Sequence, residues 1–156
     1  AHPTTYGSGG GRANGTDGVY YDGGRGGGRV FVTATRQMWL DGTGSNLDVS
    51  GGHGRYISGA SSGGGAGGSV LVYAGTMVGN GNVLANGGNS GHSSYPSGTG
   101  AGGRIALFSQ EAELASSIVT SAIASTTNAP AACRARDGSV VRNNTFITLS
   151  RPGTPS

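Results

Sequence analysis

The stretch Gly63-Gly64-Gly65-Ala66-Gly67-Gly68-Ser69-Val70-Leu71-Val72-Tyr73-Ala74 decides the fold. A run almost without side chains feeds directly into a β-branched and aromatic burst, the composition of a strand. The same pairing recurs. Gly23-Gly24-Arg25-Gly26-Gly27-Gly28-Arg29 leads into Val30-Phe31-Val32-Thr33-Ala34, and Gly98-Thr99-Gly100-Ala101-Gly102-Gly103-Arg104 leads into Ile105-Ala106-Leu107-Phe108. A worn fourth copy is Gly138-Ser139-Val140-Val141. The anchors Arg29, Ser69, Arg104 and Ser139 lie 40, 35 and 35 residues apart, and such a period marks a repeat architecture.

Each copy has a second half. Asn46-Leu47-Asp48-Val49-Ser50-Gly51-Gly52 matches Asn82-Val83-Leu84-Ala85-Asn86-Gly87-Gly88, and Ser117-Ile118-Val119-Thr120-Ser121 stands at the corresponding place in the third copy. Turns separate the halves at Asp41-Gly42-Thr43-Gly44 and at Gly79-Asn80-Gly81. A unit therefore reads as Gly tract, strand, turn, strand, Gly-rich turn.

Period-two alternation then sorts the side chains by face. Val30, Val70 and Ile105 form one inward rung, and Val32, Val72 and Leu107 the next, joined from the second strands by Leu47, Val83 and Ile118. On the opposite face Phe31, Leu71 and Ala106 align, followed by Thr33, Tyr73 and Phe108. Both faces of the first strands are thus largely apolar, which implies burial against a second layer, the Gly tracts or another subunit. The Gly tracts have two readings: tight corners in a coil of strands, or polyproline-II-type strands packed against neighbours. They are poor phosphate cradles, because no GKS/T follows and each opens a strand where a nucleotide loop opens a helix.

Composition narrows the function classes. Of 156 residues 34 are Gly and 11% are charged; every basic residue is Arg. Gly does not recur at every third place over a long run, so collagen is excluded. No apolar run approaches the ~20 residues of a membrane-spanning helix. A net charge of +3, scattered along the chain, does not make a nucleic-acid surface. Three His, one Cys and seven carboxylates form no catalytic constellation, so no enzyme, cofactor or metal is expected. His53 and His92 read as loop histidines; Asp41 and Asp48 lack acidic counterparts in the next copy; Arg29 and Arg104 read as a stacked pair, solvated or capping carbonyls, with binding of acidic glycans as the sharper alternative. Ordering so many glycines is costly, so the fold needs a dense hydrogen-bond network or a surrounding assembly.

The domain expected is a single β domain over 23–149, with units near 23–62, 63–97 and 98–137 and a degenerate one at 138–149. Residues 1–22 precede it as an N-terminal segment suited to inter-subunit contact, and 150–156 form a tail. Ser109-Gln110-Glu111-Ala112-Glu113-Leu114-Ala115 has the flavour of a capping box, but the repeat favours a strand at 117–121. The alternation Thr145-Phe146-Ile147-Thr148-Leu149 predicts a last strand. The chain opens on Ala1 with no charged-then-apolar leader, as expected of a processed secreted chain or an excised segment. Asn14-Gly15-Thr16 and Asn143-Asn144-Thr145 are candidate glycosylation sites, and Cys133 has no partner with which to form an internal disulfide.

The motif Gly-Gly-x-Gly-Gly-Ser/Arg before an aliphatic strand, then a short strand ending in Ala-Asn-Gly-Gly, resembles the glycine-rich repeats of large extracellular proteins of algae, oomycetes and bacteria, mastigoneme-like appendage proteins among them. The resemblance spans 23–108 well and 109–149 poorly. It implies an all-β, glycine-rich β-solenoid of parallel β-helix-like repeats and a surface or appendage role, and it implies no catalytic residue. A β-sandwich with Gly-rich connections is the alternative fold. Two departures, the missing Gly pair after Ser121 and Arg142 at an inward aliphatic position, leave open whether the last unit is a coil or a cap. The expected function is a structural subunit that self-assembles with identical copies into an extracellular filament or coat through Phe31, Leu71, Tyr73, Phe108 and Phe146. The alternative is a glycan-binding adhesin module using Tyr6, Tyr20, Tyr21, Tyr56 and Tyr95 in its Gly-rich turns.

Overall fold

The computed structural model describes residues 4–41, 44, 46–57, 59–92, 94–95, 97–110, 117–125 and 133–143. Strands β1 (Ala13–Asn14) and β2 (Tyr20–Tyr21) make an antiparallel hairpin. The first full unit supplies β3 (Arg29–Leu40), β4 (Asn46–Asp48) and a second antiparallel hairpin of β5 (Tyr56–Ile57) and β6 (Ala60–Ser61). The second supplies β7 (Ser69–Gly79) and β8 (Asn82–Leu84), the third β9 (Arg104–Ser109) and β10 (Val119–Ser121), and the fourth β11 (Ser139–Asn143).

Equivalent strands pair in parallel. One sheet has the order β11-β9-β7-β3 and the other β10-β8-β4. The anchors Arg29, Ser69, Arg104 and Ser139 share a rung, as do Val30, Val70, Ile105 and Val140. Four of the five extra residues in the first spacing have two sources, and the fifth lies between β4 and β7. A bulge between Ala34 and Gln37 adds one residue to β3. The passage from β3 to β4 takes residues 41–45, whereas β7 reaches β8 through Asn80 and Gly81 alone. Gly79 permits that tight turn at φ +117°.

Side chains between the two parallel sheets make the core: Val70, Val72, Met77, Ile105 and Leu107 from one, Val83 and Ile118 from the other, all within about 1% of complete burial. Here one register differs from the sequence reading. Thr120, not Ile118, stands opposite Val83. The slip is two residues, so Ile118 still points inward. Thr120 then meets Arg142, which occupies the rung of Leu107 and donates through Nη2 to Ile118 O (2.6 Å) and Thr120 Oγ1 (2.9 Å). Arg142 thus sets a polar group at the end of the apolar stack, while Val140 and Val141 of the same strand stay exposed. Arg142→Ala is expected to cost about 1–1.5 kcal/mol, a melting-temperature loss of roughly 2–6 °C by thermal circular dichroism.

The glycine tracts form a layer of their own, and residues 63–68 show how. Gly63 and Ala66 donate to Gly11 and Ser8, Gly64 and Gly67 to Gly98 and Ala101, and Gly65 and Gly68 to Gly52 and Val49, at 2.8–3.0 Å. Every third amide points the same way, the three-residue turn of a polyproline-II strand, which has no internal hydrogen bonds and offers them all outward. The same tract accepts from Gly24 and Gly27 on one flank and from Gly88 on another. Such close approach requires glycine: a Cβ on Gly24, Gly65 or Gly100 would lie 1.8–2.0 Å from a neighbouring carbonyl oxygen. Polar ladders stitch successive units, with Asn82 Nδ2 donating to Asn46 Oδ1 (2.8 Å) and Ser121 Oγ to Asn86 Oδ1 (2.7 Å).

This overturns the expected β-solenoid. The chain is strand and coil with almost no helix, but its strands lie in several small sheets, parallel and antiparallel, rather than in one continuous parallel coil. The physical reason is the glycine layer. A coil stacks each segment on its counterparts above and below, whereas tract 63–68 also bonds sideways, to 49–52 of the other half-unit and to the N-terminal 8–11. A β-sandwich with Gly-rich connections misplaces the glycines in the same way, since the tracts are a bonded layer and not connections.

Candidate assembly interface

The outer face of the four-stranded sheet carries the residues expected to mediate self-assembly. Phe31, Leu71, Ala106 and Val141 share one rung, and Thr33, Tyr73, Phe108 and Asn143 the rung two residues on. The chain buries part of this face itself: Leu71 is only 5% exposed. Tyr73 stacks on Phe108 (centroids 4.9 Å, 13°), and Phe31 meets the Tyr73 ring edge-on at 6.2 Å. Thr5 lies at the start of the face, its carbonyl accepting from Ser69 Oγ (2.5 Å) and its hydroxyl from Arg104 Nη1 (3.2 Å). Phe146 and the strand expected at 145–149 fall outside the described residues.

On this face the exposed large apolar side chains stand on the two edge strands, while Val19, Tyr20, Val119 and Ile123 are exposed elsewhere. On β3 Phe31 is 56% and Trp39 66% exposed; on β11 Val140 is 41% and Val141 47% exposed. Neither edge has a further strand partner among the described residues. Backbone directions follow from the flanking bonds. Ser69 N donates to Gly28 O, so even-numbered residues at the start of β3 face β7. Adjacent residues of a parallel strand bond to opposite sides, so Arg29, Phe31 and Thr33 aim their peptide groups outward. Ser139 N donates to Gly103 O, which by the same rule turns Val140 and Arg142 outward on β11. Edge strands are ordinarily protected by charge or Pro; these carry only Arg29, Arg36 and Arg142.

Sequence reasoning missed Trp39, because it ended this strand at Ala34. Period two continued from Phe31 reaches position 39 on the same face, which was the available signal. The tyrosines proposed for sugar stacking are scattered. Tyr56 and Tyr95 come together (5.3 Å), with His92 against Tyr56 at 4.3 Å. The Tyr95 phenol beside it raises the Tyr56 pKa above its ordinary value. Tyr6 and Tyr20 are exposed elsewhere, and the Tyr21 hydroxyl donates to Asp17.

The remaining candidates are placed as follows. Asn14 is exposed in the β1–β2 hairpin and Asn143 is half-buried at the end of β11, with residues 144–145 of its sequon outside the described residues. His53 accepts at Nδ1 from Asn89 N (2.9 Å) and His92 at Nδ1 from Ser94 N (3.1 Å). The thiol of Cys133 is free and half-buried. Among the described residues no three His, Cys, Asp or Glu side chains gather as a metal site, and no helix is long and apolar enough to cross a membrane. No protein-family model matches the chain, and no curated protein or solved structure shows significant similarity to it.

Proposed function

We propose that the chain is a structural subunit that assembles end to end with identical copies into an extracellular filament or coat, the β11 edge of one copy adding to the β3 edge of the next. One observation carries this reading: the in-register parallel ladder ends at both sides in an unpartnered strand, among the described residues, that bears exposed apolar side chains. Continuing the register sets Ser139 opposite Arg29, Val140 opposite Val30 and Val141 opposite Phe31, so no like charges face each other. The joint is head-to-tail, and such joints grow linearly when they do not close into a ring. The two sequons and the resemblance of 23–108 to appendage-protein repeats support an extracellular setting.

Sedimentation velocity over a concentration series, with negative-stain microscopy, tests the proposal. The expected result is concentration-dependent growth into thin linear particles. At 4.7–4.9 Å per strand, four strands per subunit give an axial repeat of roughly 19 Å, and oriented samples diffract at the strand spacing. A species that remains monomeric and dispersed at the highest concentration attainable overturns the reading.

A further inference from the structure

A second surface is lined by no residue of β3 or β11. Tracts 7–11, 23–28 and 49–54 run side by side, tied by Gly10 N to Gly24 O (2.8 Å) and Gly52 N to Arg25 O (2.7 Å). Over their glycine floor opens a cleft of about 720 Å³ bounded by Arg12, Tyr20, Asp22, Arg25, His53 and Arg55. We propose that this cleft binds an anionic saccharide, a sugar chain bearing carboxylate or sulfate groups.

Charge is the first argument. Three guanidiniums border the cleft against one carboxylate, and that carboxylate is already engaged, Asp22 Oδ1 lying 2.7 Å from Arg12 Nε. Arg25 and Arg55 have exposed side chains with no acceptor among the described residues. A planar guanidinium meets a carboxylate or sulfate through two parallel hydrogen bonds.

Preorganisation is the second. The backbone of Arg25 is held inside the glycine layer by the bond from Gly52 and by the flanking Gly24 and Gly27 amides. Arg55 donates its N–H to Ser62 Oγ (2.8 Å) and accepts at its carbonyl from Ser62 N (2.9 Å). His53 accepts at Nδ1, which places the proton of the neutral ring on Nε2 as a further donor directed away from Asn89. These bonds fix the backbone from which the Arg25 and Arg55 side chains extend, so binding has only side-chain freedom to remove.

The third argument selects a sugar. Tyr20, 67% exposed, offers an amphipathic ring face against which a pyranose can stack. The floor carries no side chains, so a flat ring can approach the backbone. Nucleic acid, with a charge on every nucleotide, needs more cations than two free guanidiniums provide. The Tyr56–His92–Tyr95 group is a weaker sugar platform, because its rings are packed on one another.

The test titrates the full chain, at concentrations too low for assembly, with oligogalacturonate, sulfated dextran oligomers and neutral dextran. Binding to at least one acidic oligomer is expected, with neutral dextran at least about tenfold weaker. The double substitution Arg25→Gln/Arg55→Gln should weaken that binding at least about tenfold without changing the melting temperature, a difference of about 1.4 kcal/mol. Arg36→Gln, at an exposed arginine on β3 outside the cleft, should leave it unchanged. No binding to either acidic oligomer, equal binding of neutral dextran, equal weakening by Arg36→Gln, or displacement of the saccharide by an equimolar RNA oligomer would each overturn the assignment. Because the unassembled chain is titrated, failure here leaves the assembly reading standing, and the reverse holds too.

Discussion

Gly65→Ala is expected to abolish cooperative folding, while Gly28→Ala leaves it intact. Each substitution adds one methyl group to a glycine tract, and local propensity treats them alike. The surroundings do not. A Cβ on Gly65 would lie 2.0 Å from Arg25 O, 2.5 Å from its carbonyl carbon and 2.8 Å from Gly24 O. These are backbone atoms, so no rotamer change relieves the contact. Tract 63–68 must move away from tract 23–28 by more than 1 Å, and Gly65 sits where that is most damaging. Its amide donates to Gly52 O (2.9 Å), its carbonyl accepts from Gly88 N (2.8 Å), and Gly24 and Gly27 bond to the same tract. Leaving three or four of these buried groups unpaired costs about 1–3 kcal/mol each. That sum is comparable to the entire stability of a domain, about 5–15 kcal/mol.

Beyond its own chain neighbours Gly28 has no atom within 4 Å of the position a Cβ would take, and its φ is not in the left-handed region. Alanine there restricts the unfolded chain more than the folded one and should stabilise by about 0.4–1 kcal/mol. Urea unfolding followed by circular dichroism reads both. Should Gly65→Ala unfold cooperatively at a midpoint near that of the parent chain, the glycine layer does not hold the molecule together as described.

That contrast also shows where the sequence was readable. The inward rungs of Val30, Val70 and Ile105 could be read because period-two alternation and a repeat anchor act together, and side chains report both. The four anchors accordingly share one rung of the sheet. The glycine layer is different. A three-direction hydrogen-bond pattern needs no side chains, so Gly64, Gly65 and Gly67 look identical in sequence although they bond to 98, 52 and 101. Nothing in the residues favoured the polyproline-II reading over the tight corner, and the β-solenoid expectation came from the repeat and the family resemblance. The arginine-lined cleft was hidden for the same reason. Arg12, Arg25 and Arg55 belong to three separate tracts, and only the lateral packing of those tracts brings the arginines together. The polar end of the stack, by contrast, left a trace, since Arg142 interrupts an aliphatic column that the repeat had already defined.

Val140→Pro is expected to eliminate end-to-end growth while leaving the subunit folded. The Val140 amide faces away from β9, so proline removes a donor that no strand of the same chain among the described residues uses, and edge positions of this kind tolerate proline. Across the proposed joint, Val140 N donates to Arg29 O of the next copy, whose Phe31 N donates to Val140 O. Losing the first bond and crowding the second should weaken association at least about a hundredfold, or roughly 3 kcal/mol. Phe31→Pro blocks the opposite edge by the same logic. A head-to-tail joint then makes a prediction that no two-fold joint shares. Each variant alone stays monomeric, because each retains one good edge of a different kind. An equimolar mixture forms a dimer and stops, with β11 of the Phe31→Pro chain on β3 of the Val140→Pro chain. Traces of either variant shorten wild-type particles by terminating one end. If Val140→Pro dimerises with itself, the joint is β3 on β3 and closed; if it sediments like the wild type, the edges of this sheet play no part in assembly.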